Sequence, residues 1–171
     1  LSEALFNDHK LDVVCLMPTN IYGVNDNFDK FSGHVIPAMI NKINEAKRLK
    51  RKSVKLLGTG KPIREFLFAD DLAKAILLVL RSKKKTINKV CKKQFPLINV
   101  GSGESISIKN LSKKIAKISN YKGKIIFDDR FPDGTMKKNL NSKLINALGW
   151  YPITSLNKGL RISIDNYIKN R

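Results

Sequence analysis

Short apolar runs alternate with longer segments of helical periodicity, and this alternation constrains the fold more than any other feature of the chain. Apolar runs of this length that end in turn residues are typical of strands covered on both faces, as in parallel sheets. The runs are LDVVCLM, VKLL, REFLF, PLINV and KIIFDD. The segments between and after them repeat apolar residues at helical spacing, for example from about His34 to Leu49. The sequence therefore predicts an α/β fold.

Three local features of this secondary structure are also predicted. Residues 1–9 are expected to be the last part of an amphipathic helix whose beginning is missing. Asp70 or Asp71 is expected to cap the helix DLAKAILLVLRS, because a carboxylate accepts the free amide hydrogens of a first helical turn. The lysine-rich segment Lys83–Lys93 is expected to be a linker.

The chain has 171 residues, of which 42% are hydrophobic, and this is enough for a substantial core. Its longest uninterrupted apolar run, Ala75–Leu80, is far too short to cross a bilayer, and the N-terminal residues lack a signal-peptide pattern. We therefore expect a soluble, cytoplasmic protein with no membrane partner. The two cysteines, Cys15 and Cys91, form no disulfide or metal-binding pattern, and Cys15 is expected to belong to the core.

The net charge of +19, from 33 basic and 14 acidic residues, is a feature of many nucleic-acid-binding proteins. However, the basic runs KRLKRKSVK and RSKKKTINKVCKK lack interleaved aromatic residues, and no helix-turn-helix, zinc or RNP-like signature occurs. Lysines spread over solvated faces are the favoured interpretation, and we expect no nucleic-acid partner. A basic nucleic-acid-binding module remains the alternative from a different functional class.

Two glycine pairs follow predicted strands, Gly58 with Gly60 and Gly101 with Gly103. Neither pair is followed by the third glycine of a dinucleotide-binding fingerprint. Both pairs are therefore predicted to form tight turns, and the chain has no phosphate-binding glycine loop of its own. No tyrosine has a lysine four residues further on, so the tyrosine and lysine pair of one large reductase class is also missing.

Three residues are candidates for chemistry on the sequence alone. His34 follows a Ser-Gly step near the long polar loop PTNIYGVNDNFDKFSG, at the expected start of a helix whose positive end helps an imidazole to release its proton. A surface or capping histidine is an equally good interpretation. Arg64 and Lys42 are candidate diphosphate contacts through charge-assisted hydrogen bonds, although a solvated side chain is the default for a single cation. The histidines have no metal-ligand spacing, so no metal site is predicted.

The order of several motifs is more specific than any one of them. PTNIYGVNDNF, SGHVIPAMI, GTGKPIREFLFADDLAKAI, INVGSGESISIKNL, YKGKIIFDDRFPDGTMKK and LGW follow one another along the chain. In this order they resemble the C-terminal half of the GDP-L-fucose synthase family, which belongs to the extended short-chain dehydrogenase/reductase superfamily. Enzymes of that family are NADP-dependent 3,5-epimerases and 4-reductases of GDP-4-keto-6-deoxymannose. The resemblance covers essentially the whole chain.

The resemblance implies a set of site residues. His34 matches the family histidine that acts as the acid in epimerisation and lies near the cofactor. In the family the loop after the first strand here lies against the nicotinamide end of NADP, so the implied cofactor contacts are Pro18, Thr19, Asn20, Ile21 and His34. Positions that serve the GDP part or the sugar are Lys42, Leu57, Arg64, Asp133 and Lys138. Two positions depart from related enzymes, with Leu57 in place of a common tryptophan and Asn141 in place of a common aspartate.

The resemblance also implies the domain organisation: the C-terminal strands of a Rossmann-type parallel sheet, interleaved with a small α/β substrate-binding domain. Residues 1–23 would end the Rossmann domain, 24–60 would begin the substrate domain, 61–105 would return to the Rossmann sheet, and 106–171 would complete the substrate domain. The family's glycine-rich NADP loop, serine, tyrosine and lysine pair, and the cysteine that partners the histidine are expected upstream of this chain.

The resemblance carries three further expectations. Family enzymes are homodimers that bind NADP(H) and a GDP-sugar, and they act as both oxidoreductase and isomerase. The chain alone is expected to be inactive without an N-terminal half. Another extended-family nucleotide-sugar epimerase or dehydratase, acting on a different sugar, remains the alternative within enzymes.

Overall fold

The computed structural model describes residues 1–29, 32–92 and 94–170. Its helices are α1 Ser2–Asp8, α2 Val35–Arg48, α3 Ala69–Arg81, α4 Lys84–Val90, α5 Ile108–Ile118, α6 Lys143–Ala147 and α7 Leu156–Lys169. Its strands are β1 Cys15–Pro18, β2 Asn20–Tyr22, β3 Ser53–Leu57, β4 Ile63–Phe68, β5 Leu97–Val100, β6 Ser105–Ser107, β7 Lys124–Asp128 and β8 Lys137–Lys138. Helices and strands alternate along most of the chain, and the predicted α/β class is confirmed.

Two helical predictions were wrong. Helix α3 begins at Ala69 and its N-cap residue is Phe68, so Asp70 and Asp71 lie inside the first turn and not at the cap position. The expected linker Lys83–Lys93 contains α4, which is stabilised by burial of Ile87 in a core that the local sequence pattern does not reveal. Lys93 itself lies outside the described residues.

The strands differ from the prediction in extent. Strand β1 begins only at Cys15, because its parallel partner β5 begins at Leu97, directly opposite Cys15. The segment PTNIYGVNDNFDKFSG, predicted as a long loop, contains the short strand β2, which belongs to a sheet with the order β2-β4-β6. The short strand β8 pairs with β4 of the same sheet. Lys30 and Phe31, in the predicted loop, lie outside the described residues.

The chain forms two compact units. Unit 1 contains Leu1–Ile21, Glu65–Gly103 and Asn139–Ile153, and unit 2 contains the described residues of Tyr22–Arg64, Glu104–Lys138 and Thr154–Arg171. The first three boundaries lie within four residues of those predicted after residues 23, 60 and 105. Residues 139–153, expected in the substrate domain, instead pack with unit 1, and the functional names of the two domains stay predictions.

Unit 1 is built on the parallel pair of β1 and β5. Its core consists of side chains from β4, β5 and helices α3, α4 and α6, together with the residue after α4 and one tryptophan. Its buried members are Leu67, Ala75, Val79, Ile87, Cys91, Ile98, Val100, Ile145 and Trp150. Trp150 Nε1 donates to the carbonyl oxygen of Asp71 (3.2 Å), and the Ile153 amide donates to Asp71 Oδ2 (3.2 Å). These contacts explain why the segment that includes Trp150 belongs to unit 1.

Unit 2 is built on the parallel pair of β3 and β7, with helix α2 packed against β3, α5 and α7. The apolar face of α2 is fully buried at Ile36, Ile40 and Ile43. A buried polar contact also joins two of the helices, because Asn44 Nδ2 donates to Ser119 Oγ (3.1 Å). Within the described residues, no helix is long and apolar enough to cross a membrane.

Candidate functional site

A cavity of about 310 Å³ lies within unit 2, at the lower end of the range for small-molecule sites. Four of the five residues predicted to contact a substrate line it: Lys42, Leu57, Arg64 and Asp133. The remaining one, Lys138, does not line it. Most of the wall is apolar, with Val35, Ala38, Met39, Leu56, Pro62, Ile108 and Pro132. We name this space the unit 2 cavity.

The carboxyl end of β3 and the loop that follows β7 form one side of the unit 2 cavity. The two strands are parallel and end opposite each other, with Leu57 paired to Asp128. The loops that follow parallel strands leave from the same edge of a sheet, which is where open α/β sheets bind ligands. The turn 58–62 and the loop 129–136 are therefore neighbours, although they are far apart in sequence.

The turn after β3 requires both of its glycines. Gly58 and Gly60 have φ values of +79° and +74°, which side chains other than glycine adopt with strain. A Cβ atom on Gly60 would lie 2.7 Å from the ring of Phe127, and one on Gly58 would lie 2.5 Å from Asp133 Oδ1. The carbonyl oxygen of Gly60 also accepts from the Lys109 amide (2.9 Å), which ties the start of α5 to the turn. The predicted tight turn is thus present and closely packed.

The side chain of Asp133 is hydrogen-bonded to the turn that follows β3. Its Oδ1 accepts from the Thr59 amide (2.9 Å), and its Oδ2 accepts from Thr59 Oγ1 (2.5 Å). The side-chain hydrogen bond from Thr59 lowers the pKa of Asp133, the backbone hydrogen bond lowers it further, and the charges of Lys61 and Arg64 act in the same direction. The carboxylate is therefore ionised at neutral pH. The role of Thr59 was not predicted from the sequence.

Arg64 reaches the unit 2 cavity from β4. Its Nη1 donates to the carbonyl oxygen of Ile63 (2.8 Å), and a Cβ atom on Gly134 would lie 3.4 Å from its Nη2. The guanidinium therefore lies close to Gly134, in the loop that carries Asp133. Lys138 lies opposite Arg64 in the parallel pairing of β4 and β8, but its side chain is exposed.

Helix α2 supplies Lys42 to the unit 2 cavity. The lining residues Val35, Ala38, Met39 and Lys42 are three, four and seven residues apart, so they share one face of the helix. The apolar members form part of the wall, and Lys42 adds a basic residue on the same face. The cavity therefore combines two cations with one fixed carboxylate and an apolar wall, which suits a ligand that has both a phosphate group and a flat or apolar part.

His34 is the N-cap residue of α2, as predicted, but its side chain makes no capping hydrogen bond. The imidazole is exposed, and it lies between Gly33 and Val35, which both line the unit 2 cavity, although His34 itself does not. On its N-terminal side, the Gly33 amide donates to the carbonyl oxygen of Asp29 (2.9 Å). A histidine whose ring does not cap its helix is free for another role.

Four of the five predicted cofactor contacts, Pro18 to Ile21, lie in unit 1, and the fifth, His34, lies in unit 2. Thr19 Oγ1 (3.0 Å) and Asn20 Nδ2 (2.8 Å) both donate to the carbonyl oxygen of Glu65. These bonds fix two polar side chains, while the ring of Pro18 is exposed and Ile21 is partly buried. The segment thus presents two hydrogen-bonded polar side chains and an apolar surface.

Glu65 is a second residue that sequence reasoning missed. Its side chain is 1% exposed, Oε1 accepts from the Gly103 amide (2.7 Å), and Oε2 accepts from the Leu140 amide (3.0 Å). Consecutive residues of a strand point to opposite faces, so the Arg-Glu pair in REFLF was a usable signal for one ligand-facing and one buried charge. Glu65 holds the turn after β5, and its carbonyl oxygen holds Thr19 and Asn20.

A separate concave region of unit 2, of about 510 Å³, contains none of the predicted site residues. Its charged lining is entirely basic, with Lys47, Lys50, Arg51, Lys52, Lys122 and Lys124, and we name it the basic surface. All six side chains are exposed. Among the residues described, no group of three or more histidine, cysteine, aspartate or glutamate side chains could hold a metal ion.

The sequence pattern of the NAD-dependent epimerase/dehydratase family matches residues 1–92, which is more than half of the 171 residues. The chain belongs to this family. It is also 38% identical over 162 residues to GDP-L-fucose synthase 1 of Arabidopsis thaliana, covering 95% of this chain and 47% of that protein. The GDP-L-fucose synthase of Escherichia coli strain K12 is 36% identical over 171 residues, covering 100% of this chain and 53% of that protein.

A solved structure with the same fold is that of a GDP-mannoheptose C4 reductase from Campylobacter jejuni with NADP bound. It superposes with a TM-score of 0.77 at 26% identity and covers 98% of this chain and 56% of that one. These findings confirm the resemblance to GDP-L-fucose synthases that the motifs predicted. The chain spans about half the length of the curated relatives that it matches.

Proposed function

We propose that this chain is the nucleotide-sugar-binding part of an NADP-dependent GDP-4-keto-6-deoxymannose 3,5-epimerase and 4-reductase, which produces GDP-L-fucose. The observation that carries this proposal is the convergence of Lys42, Leu57, Arg64 and Asp133 on the unit 2 cavity. Helix α2, strands β3 and β4, and the loop after β7 each supply one of these residues. They match the positions that the GDP-L-fucose synthase resemblance assigns to substrate.

The charges of the unit 2 cavity suit a nucleoside diphosphate. Arg64 and Lys42 would neutralise the diphosphate by charge-assisted hydrogen bonds, which are stronger than neutral ones. The apolar wall from Val35 to Met39 would take a flat or apolar part of the ligand. Leu57, which is 57% exposed, offers no aromatic surface for stacking, so base recognition rests on polar contacts and on the remaining wall.

His34 would act as the acid in epimerisation. A 4-keto group makes the hydrogens on C3 and C5 acidic, so a base can remove each proton to give an enolate. A proton returned to the opposite face of the carbon inverts the centre, and the His34 imidazole, which makes no capping bond, would deliver it. The sugar changes configuration with no net gain or loss of protons.

Pro18, Thr19, Asn20 and Ile21 would lie against the nicotinamide end of NADP(H), which supplies the hydride for reduction at C4 when bound. The segment fits such a group, because its two polar side chains are already fixed by Glu65 and its proline ring is exposed. A preorganised segment binds a ligand with less loss of conformational freedom. The NADP bound to the Campylobacter jejuni reductase supports the choice of cofactor.

Nucleotide selectivity tests the proposal on the chain as it is. Isothermal titration calorimetry should show that guanosine diphosphate binds at least about tenfold more tightly than uridine or thymidine diphosphate. Arg64→Met should weaken guanosine diphosphate binding by about tenfold or more, because a charge-assisted hydrogen bond is lost. Lys47→Met is the matched control, since Lys47 lies on α2 but outside the unit 2 cavity.

Two results would contradict the proposal. Equal affinity for the three nucleotides would indicate attraction to the general positive charge of the chain rather than a site for GDP. Equal weakening by Arg64→Met and Lys47→Met would place the ligand outside the unit 2 cavity.

A further inference from the structure

We propose that Thr59 is a positioning residue, which holds the carboxylate of Asp133 at the wall of the unit 2 cavity so that it accepts hydrogen bonds from the nucleoside part of the ligand. This inference rests on the proposed function. It adds a residue that neither the motifs nor the similarity to known proteins assigns to the site.

Thr59 makes two hydrogen bonds to the side chain of Asp133. The Thr59 amide and hydroxyl donate to the two different oxygens of Asp133, at 2.9 and 2.5 Å. Two bonds to two oxygens fix both the position and the rotation of the carboxylate plane, which one bond would not do. The hydroxyl is itself fixed, because its oxygen accepts from the Lys61 amide at 3.1 Å.

The carboxylate of Asp133 has hydrogen-bond acceptor positions that Thr59 does not use. An ionised carboxylate has about four acceptor positions, and Thr59 uses one on each oxygen. Asp133 lines the cavity and is partly exposed, so its other positions can face a ligand. Glycine at position 58 is part of this arrangement, since a side chain there would collide with Asp133 Oδ1 at 2.5 Å.

The sign of the charge selects the part of the ligand. A carboxylate repels a phosphate group, whereas hydroxyl and N–H groups of a nucleoside can donate to it. The phosphate groups are attracted instead to Arg64 and Lys42 on the same cavity. Thr59 therefore keeps an anion in place within a site that is otherwise positive, and this separates the nucleoside end of the ligand from the diphosphate end.

The test compares Thr59→Val, which removes the hydroxyl but keeps the amide and the shape, with Thr59→Ser, which keeps both donors. Thr59→Val should weaken guanosine diphosphate binding in calorimetry by about tenfold, the loss expected for a hydrogen bond to a charged group. It should also raise the pKa of Asp133, measured by carboxyl-carbon NMR, towards its ordinary value of 3.8. Thr59→Ser should restore both properties, and Thr86→Val, at an exposed threonine on α4, should change neither.

A double variant keeps the inference testable if Thr59→Val disturbs the turn. In an Asp133→Asn background, Thr59→Val should have little further effect on binding, because the charge it positions is gone. An unchanged Asp133 titration and unchanged affinity in Thr59→Val would overturn the inference. If the wild-type chain bound no nucleotide, the proposed function would fail, whereas the Asp133 titration would still decide whether Thr59 positions the carboxylate.

Discussion

Gly60→Ala should destabilise unit 2 by more than the cost of its positive φ alone. An alanine at a positive φ such as the +74° of Gly60 costs about 1–2 kcal/mol. Its Cβ atom would also lie 2.7 Å from two ring atoms of Phe127, which is far inside van der Waals contact. Forcing an extra methyl group into such a place costs about 1–3 kcal/mol more. We therefore expect a total loss of about 3 kcal/mol in the free energy of unfolding.

Gly103→Ala is a matched control for this prediction. Gly103 has almost the same φ, +76°, but no atom lies within 4 Å of the position that its Cβ would occupy. It should therefore lose only the backbone contribution, about 1–2 kcal/mol. Urea unfolding followed by far-ultraviolet circular dichroism gives both values, and the fluorescence of Trp150, in the core of unit 1, separates the unfolding of unit 1 from that of unit 2.

A third variant tests the cause directly. Replacing Phe127 by leucine in the Gly60→Ala background should restore part of the stability, because the smaller side chain removes the collision. Equal losses in Gly60→Ala and Gly103→Ala, together with no recovery in the double variant, would show that the turn does not pack on Phe127 as the structure indicates. The turn beside the unit 2 cavity would then not be closely packed.

Other predictions concern buried and paired groups. Glu65→Gln should destabilise unit 1 by about 1–3 kcal/mol in urea unfolding. The two carboxylate oxygens accept from two backbone amides, whereas the amide nitrogen of glutamine cannot accept a hydrogen bond, so one of those backbone amides would lose its acceptor. Arg130→Ala should raise the pKa of Asp128 from about 2 towards 3.8 in an NMR titration, since the side-chain hydrogen bond from Arg130 is the main cause of the low value. The folded pKa is the lower one, so the contribution of this pair to stability is present above about pH 4 and is lost as the pH falls towards 2. Asn44→Ala should lower the free energy of unfolding by about 1–3 kcal/mol, and adding Ser119→Ala should cost little more, because its partner is already lost.

The sequence predicted those features that depend on local periodicity and turn chemistry. The extents of α2 and α5 follow from their apolar faces, and the Gly58 and Gly60 turn follows from a glycine pair directly after a strand. Helix α4 was missed because its sequence is rich in lysine and it buries one residue, Ile87, so no apolar stripe marks it as a helix. Strands β2 and β8 were missed because they are two or three residues long and depend on pairing with distant residues.

The residues of the candidate site could be predicted only in part. The resemblance named Lys42, Leu57, Arg64 and Asp133, and their shared cavity is a property of the fold that motif order alone does not contain. Thr59 and Glu65 act through hydrogen bonds to residues far away in sequence. A local pattern such as the Arg-Glu pair of β4 can indicate a buried charge at Glu65, but it cannot identify the partners of either residue. A polar residue that stabilises the position of another is visible only once both are placed in space.

The most direct test of the account is a map of backbone amide NMR shifts while guanosine diphosphate is added to the chain. We predict that the largest changes occur in the turn 58–62, at Arg64, at Asp133 and Gly134, and in the first turns of α2. Changes concentrated at the basic surface, around Lys50 to Lys52 and Lys122 to Lys124, would contradict the account, because binding would then follow overall charge rather than the site built by β3, β4 and β7.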